Sequence, residues 1–502
     1  LVAQKYFIEP LTMTMQEENK CSNYITLLTL VAALGGMLFG WDTAVISGTV
    51  SSLDAYFITP LGLAEYEANS LLGTLVSSAL IGCIIGGAIA GLLSQRFGRK
   101  KMLIVSAALF FVSALGSAFP EIGFYNIAGT DANQALPQFI FYRILGGVGV
   151  GMASMLSPLY IAEIAPAKIR GRLVSYNQMA IVTGIIVVYF VNYLISLQGD
   201  DSWIQTLGWR YMFASEMIPA AIFFGLLFTV PESPRWHALK GHDALAKDTL
   251  AKLHGNEAAE IEFKEIKQSL SHHASSKLFS YGLLVVVIGV LLSVFQQVIG
   301  INAVLYYAPE IFKDMGSGTS AAMLQTIIVG ATNVVFTLVA IFTVDRYGRK
   351  PLMIFGALGM SIAMITLGFS FYNEAKGIMV LIAMLAYVAC FSLSWGPVCW
   401  VLLSEIFPNK IRSIALSLAV AAQWVTNYLV SWSFPMMNNN SYLIEQFNHG
   451  FAYWIYGGMS LLAAFFVWKF VPETKGKSLE EMENLWQTDT QAEADFAKPT
   501  VS

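Results

Sequence analysis

At 502 residues, 56% of them hydrophobic and only 12% charged, with a mean hydropathy of +0.60, the chain is too apolar for a water-soluble domain of its size. A net charge of -4 and a pI near 5.9 supply no basic footprint for nucleic acid, so that class of partner is excluded. The four cysteines, Cys21, Cys83, Cys390 and Cys399, have neither metal-ligand spacing nor the density of a disulfide framework and read as packing residues.

In chain order, residues 1–24 carry Lys5, Glu9, Glu17, Glu18 and Lys20, lack the basic-then-apolar pattern of a cleaved signal, and read as a cytoplasmic tail. The chain opens on Leu1 with Met13 and Met15 behind it, so residues 1–12 read as upstream sequence. Crossing a hydrocarbon core takes roughly 20 mostly apolar residues in a helix, because every backbone polar group there must be paired internally. Cut on that scale, the chain predicts twelve spans near 25–46, 70–93, 102–120, 137–161, 174–196, 211–230, 279–305, 321–343, 352–371, 378–404, 413–436 and 451–470. The expected fold is therefore an all-α membrane protein of twelve transmembrane helices, six in each half (25–230 and 279–470). The hydrophilic stretch 231–278 reads as cytoplasmic amphipathic linker helices, and 471–502 as a second cytoplasmic tail. With the N-terminus inside, 25 of the 29 basic residues fall on inner segments, and only Arg210, Lys313 and Lys376 fall outside. The positive-inside rule then puts both termini in the cytoplasm.

Repetition is the next signal. Arg96-Phe-Gly-Arg-Lys100 recurs as Arg346-Tyr-Gly-Arg-Lys350; Glu163-Ile-Ala-Pro-Ala-Lys-Ile-Arg170 recurs as Glu405-Ile-Phe-Pro-Asn-Lys-Ile-Arg412; Pro231-Glu-Ser233 recurs as Pro472-Glu-Thr474. The order is kept and the offset is nearly constant, so the halves are pseudo-symmetric copies with the same topology. These motifs, with Gly40-Trp41-Asp42-Thr43, Gln296-Gln297, Gly300-Ile-Asn302 and Trp395-Gly-Pro-Val-Cys-Trp400, resemble the sugar porters of the major facilitator superfamily over about residues 25–480. Among sugar porters the likeness is greatest to the bacterial proton-coupled xylose carriers. The resemblance implies alternating-access symport of a proton with a monosaccharide, D-xylose or a similar aldose such as D-glucose, by a monomer in the bacterial inner membrane.

The repeated charges suit a gate. Glu163 and Glu405 are expected to pair with Arg99 and Arg349 when the cytoplasmic ends close, with Arg170 and Arg412 alongside. The alternative is that these loop charges only set orientation. For cargo, a sugar needs amides, which donate and accept at once, and aromatic faces for its C–H edges. The spans hold Gln178, Gln296, Gln297, Asn302, Trp400 and Gln423, which match the sugar-holding positions implied by the resemblance. Phe39, Tyr306, Asn333 and Trp424 form a second tier. Amides within spans can equally act as glue between helices. The pentose pattern has a glutamine seven residues after Gln178, where this chain has Ile185.

Two ionisable residues, Asp42 and Arg143, lie well inside apolar spans, where a charge must be paired or wetted. They are expected to pair with each other, either as a permanent tie or as a proton site from which Arg143 is released toward Glu216. The resemblance favours the proton site. Asp42 also separates a proton-coupled carrier from a passive facilitator, which has no need of a buried ionisable group; a non-transporting sugar sensor and a drug exporter are further alternatives. Gly146-Gly-Val-Gly-Val-Gly151 lies in an apolar span without a preceding strand, so it predicts close helix packing rather than a nucleotide loop. With no nucleophile elbow, phosphate loop or metal-ligand cluster, no cofactor, metal or enzyme activity is expected.

Overall fold

A computed structural model describes residues 2–121, 132–166, 169–271, 278, 281–374, 378–408, 411–476 and 486. The loop lysines Lys168 and Lys376, part of the linker 231–278 and most of the tail 471–502 lie outside them. Among the described residues eleven helices are long and apolar enough to cross a membrane, from Asn23–Gly48 to Phe451–Phe470, each overlapping a predicted span. The twelfth, expected as continuous over 211–230, is broken into Trp209–Ala214 and Met217–Leu226. At the break the Glu216 N–H turns back to the Phe213 carbonyl and the Ser215 hydroxyl bonds the Met212 carbonyl. A fully buried carboxyl therefore sits at an interruption of its span. The helix of span 1 also runs back through the expected tail to Val2.

Span 2 packs along span 4, and small residues make the contact possible. A methyl group added to Gly82 would collide with the Ile144 carbonyl, and one added to Gly147 with the Ala79 carbonyl, so the backbones touch directly. The largest exposed side chains within spans, including Leu92, Phe342, Phe355 and Ile378, are apolar and form the surface that lipid covers. Between the halves run three linker helices, Pro234–Leu239, Asp243–His254 and Asn256–Ser271. Buried His254 joins them to the N-terminal half: its two ring nitrogens meet Glu262 at 2.5 Å and the Ile164 carbonyl at 3.0 Å.

The bonds between halves gather at the end opposite the repeated motifs. Ser51 donates to Glu310 at 2.6 Å, Tyr189 to the Leu305 carbonyl at 2.9 Å, and the backbone N–H of Ser441 to Glu65 at 2.6 Å. Gly73 lies so close to the Trp432 carbonyl that no side chain would fit between spans 2 and 11. The bundle is thus drawn together at this end.

Candidate functional site

The repeated motifs build two copies of one cluster. A glycine at φ +106° (Gly98) or +92° (Gly348) ends spans 2 and 8, a conformation that side chains strain to adopt. The next helix then starts at Arg99 or Arg349. Glu232 accepts from the N–H groups of Arg99 and Lys100 at 2.8 and 3.2 Å, and Glu473 from those of Arg349 and Lys350 at 3.1 and 3.0 Å. Each carboxylate satisfies orphan donors and offsets the positive end of a helix. The Arg99 guanidinium forks onto Glu163 with two 2.9 Å bonds, and Arg349 onto Glu405 at 3.1 and 2.9 Å. Ser233 and Thr474 complete the copies by donating to Glu163 and Glu405 at 2.5 and 2.6 Å.

These two arginine–glutamate pairs are the ones expected from the sequence. Both lie within one half and are intact in a structure whose halves are joined at the other end. The physical reason is that the glycine turn and the capping carboxylate already fix each arginine against its own half. Arg412 donates to the Phe407 carbonyl at 3.2 and 3.1 Å, and Arg170 is exposed. Sequence reasoning assigned no role to Glu232, Ser233, Glu473 and Thr474, although their repeat offset was visible.

In the N-terminal half, Arg143 donates to Asp42 Oδ1 at 2.8 Å and to its backbone carbonyl at 3.2 Å, with both side chains all but inaccessible. The guanidinium lies 5.3 Å over the Phe213 ring. The Glu216 carboxyl comes within hydrogen-bonding reach of Asp42. Among the described residues neither Glu216 oxygen, nor Asp42 Oδ2, has a hydrogen-bond donor. The trio thus sets two carboxyl groups against one fixed positive charge.

In the C-terminal half, span 7 is interrupted after Val298 by Gly300 at φ +92°, and a second helix runs Ile301–Tyr306. That break brings Gln297 and Asn302, five residues apart, into a 2.7 Å hydrogen bond. Gln296 Nε2 donates to the Trp395 and Gly396 carbonyls at a matching break in span 10. Its Oε1, like Gln423 Oε1, is buried without a protein donor. Such acceptors are costly unless a ligand or water satisfies them. Phe39 of span 1 faces Trp424 of span 11 with ring centroids 5.6 Å apart, across the seam between halves. Tyr306 is buried, and Asn427, a residue not among those expected to bind sugar, accepts from the Ser431 hydroxyl at 3.2 Å.

Three expected sugar residues stand apart. Asn333 Oδ1 accepts from Ser392 at 2.8 Å and Thr337 at 3.4 Å, which makes it glue between spans 8 and 10. Gln178 is half-buried in span 5 and Trp400 is 38% exposed; neither bonds to the amide group among the described residues. Ile185, where the pentose pattern has an amide, is buried.

Twelve spans in two like halves, meeting across a seam lined by amides and aromatics, with an ionisable trio buried in the N-terminal half, define a membrane carrier of the major facilitator fold. The model of the family described as sugar (and other) transporter matches residues 28–486, and the chain belongs to that family. It is 60% identical over 476 residues to the D-xylose-proton symporter of Escherichia coli K12, covering 93% of this chain and 97% of that one. It is 42% identical over 467 residues to the glucose facilitated diffusion protein of Zymomonas mobilis, covering 92% and 98%. The solved inward-open conformation of the E. coli xylose transporter superposes with a TM-score of 0.84 at 58% identity, covering 92% of this chain and all of that one.

Proposed function

We propose that the chain is a proton-coupled monosaccharide symporter that works by alternating access as a monomer in a bacterial inner membrane, with both termini cytoplasmic. D-xylose is the favoured cargo, and D-glucose is the alternative that Ile185 raises. One observation carries the coupling: the buried Asp42–Arg143 pair with Glu216 against it, a costly arrangement that passive carriage does not need. The identity to a D-xylose-proton symporter supports the same reading.

Residues 25–230 and 279–470 act as the rocking halves, 231–278 as the linker, and 1–24 and 471–502 as tails. In this inward-facing state the outer seam is latched by Ser51–Glu310 and Tyr189–Leu305. Sugar enters between Phe39 and Trp424 and is held by Gln296, Gln297, Asn302 and Gln423. A proton on Asp42 releases Arg143 toward Glu216 and loosens the tie between spans 1 and 4, which permits the rock. The paired clusters at Arg99 and Arg349 keep each half rigid as it turns.

The resemblance to a facilitated-diffusion protein gives the second reading, uncoupled passage of glucose. Uptake of labelled D-xylose and D-glucose into proteoliposomes, with and without an inward pH gradient, decides between them. Accumulation above the outside concentration only when the gradient is imposed is the expected result, whereas mere equilibration in both conditions establishes the facilitator.

A further inference from the structure

The interruption of span 7 has its own carpentry. A turn in the middle of a bilayer takes backbone groups out of the helical ladder, and each needs a new partner. At this turn the Gly300 N–H bonds the Gln297 carbonyl at 2.9 Å, and the Ile299 carbonyl accepts from the Tyr387 hydroxyl of span 10 at 2.8 Å. Tyr387 is fully buried. On the other side, the ring of Tyr456 from span 12 covers Gly300 so closely that a Cβ there would stand 2.5 Å from its Cγ. The Tyr456 hydroxyl, though buried, has no hydrogen-bond partner among the described residues. The two tyrosines therefore differ: one grips the turn through its oxygen, the other only through its ring.

From this we infer that Tyr387 is a positioning residue for the sugar. Its hydroxyl fixes the peptide between Gln297 and Asn302, and so sets the turn that lets these two amides meet. The role rests on the sugar-site reading above. Tyr387 acts through the backbone, so its contribution should exist only while the Gln297–Asn302 arrangement exists. A side chain that merely props span 10 against span 7 would have no such dependence.

The test is calorimetric titration of the purified full-length protein with D-xylose, with the thermal midpoint recorded for every variant. Tyr387→Phe keeps the ring and removes only the oxygen; its expected effect is a dissociation constant weakened about 3- to 10-fold. In an Asn302→Ala background the same change should cost less than about twofold, since the arrangement it maintains is already gone. Gly300→Ala perturbs the same turn by strain and collision and should show the same dependence on Asn302. Tyr456→Phe removes an unbonded hydroxyl and should bind as the wild type does. If Asn302→Ala weakens binding but Tyr387→Phe does not, or costs as much with Asn302 absent as with it present, the positioning role alone is overturned. If Asn302→Ala leaves affinity unchanged, the sugar-site reading falls and the positioning role falls with it.

Discussion

Asp42→Asn separates the two jobs that a buried ion pair can have. The substitution leaves Arg143 in a dry site without its 2.8 Å partner, and removing one member of a buried pair ordinarily costs ~3–5 kcal/mol because the other charge is stranded. Here the cost should be smaller. Glu216 lies against Asp42 and, once no longer sharing a proton with it, can ionise and take up the guanidinium. What is lost is then about one charge-assisted hydrogen bond, ~1.5–3 kcal/mol. Asp42→Asn combined with Glu216→Gln removes both carboxylates, leaves Arg143 only neutral partners such as the residue 42 carbonyl and the Phe213 ring, and should show the full penalty. Thermal unfolding in detergent measures both changes. In proteoliposomes, Asp42→Asn should abolish accumulation driven by a pH gradient while sparing sugar binding and equilibrative exchange, since a permanently neutral side chain mimics the protonated state. Concentrative uptake by this variant would refute the assignment, and a double variant no less stable than Asp42→Asn would refute Glu216 as the alternative partner.

Three further outcomes are expected. Alanine at Gln297 or Asn302 should weaken sugar binding by about 1–3 kcal/mol in calorimetric titration, and unchanged affinity in both would remove the site. Glu405→Gln removes the carboxylate onto which Arg349 forks and to which the Thr474 hydroxyl donates; it should lower the unfolding temperature and slow transport with sugar affinity intact, and Glu163→Gln, in the drier copy, should do so more strongly. A variant of either kind that loses binding while keeping normal inward and outward accessibility to a thiol reagent would contradict this. In the outer loops, burial pushes the Glu121 carboxyl up, but hydrogen bonds and charge from Arg210 outweigh it and hold it below the usual value of 4.5. A folded value lowered in this way adds stability that is present above the ordinary glutamate range and is lost as pH falls through the lowered one. Wild type should therefore exceed Glu121→Gln in unfolding temperature at neutral pH and converge with it only as the pH falls through the lowered value; a gap that persists in strong acid would show that the contribution is not electrostatic.

The spans, the halves and the motif repeats were legible because each is a local property of the chain. A bilayer demands a fixed run of apolar residues, and a duplicated half leaves its charges at a constant offset. The likeness of Asp42 and Arg143 to a proton site was legible too, since an ionisable residue in an apolar run has few other uses. The pairing of Arg99 and Arg349 with Glu163 and Glu405 was legible as well, but the roles of Glu232 and Glu473 were not: only packing showed that they hold the turns by accepting from the first N–H groups of the next helix. Composition could not show the break at Glu216, since the residues around it are as apolar as any other span. Asn333 and Gln296 are both amides in apolar helices, yet the first spends its oxygen on Ser392 and the second keeps its oxygen free. The sequence determined which groups enter the membrane; tertiary structure decided which of them are satisfied by protein, and so which remain to bind something else.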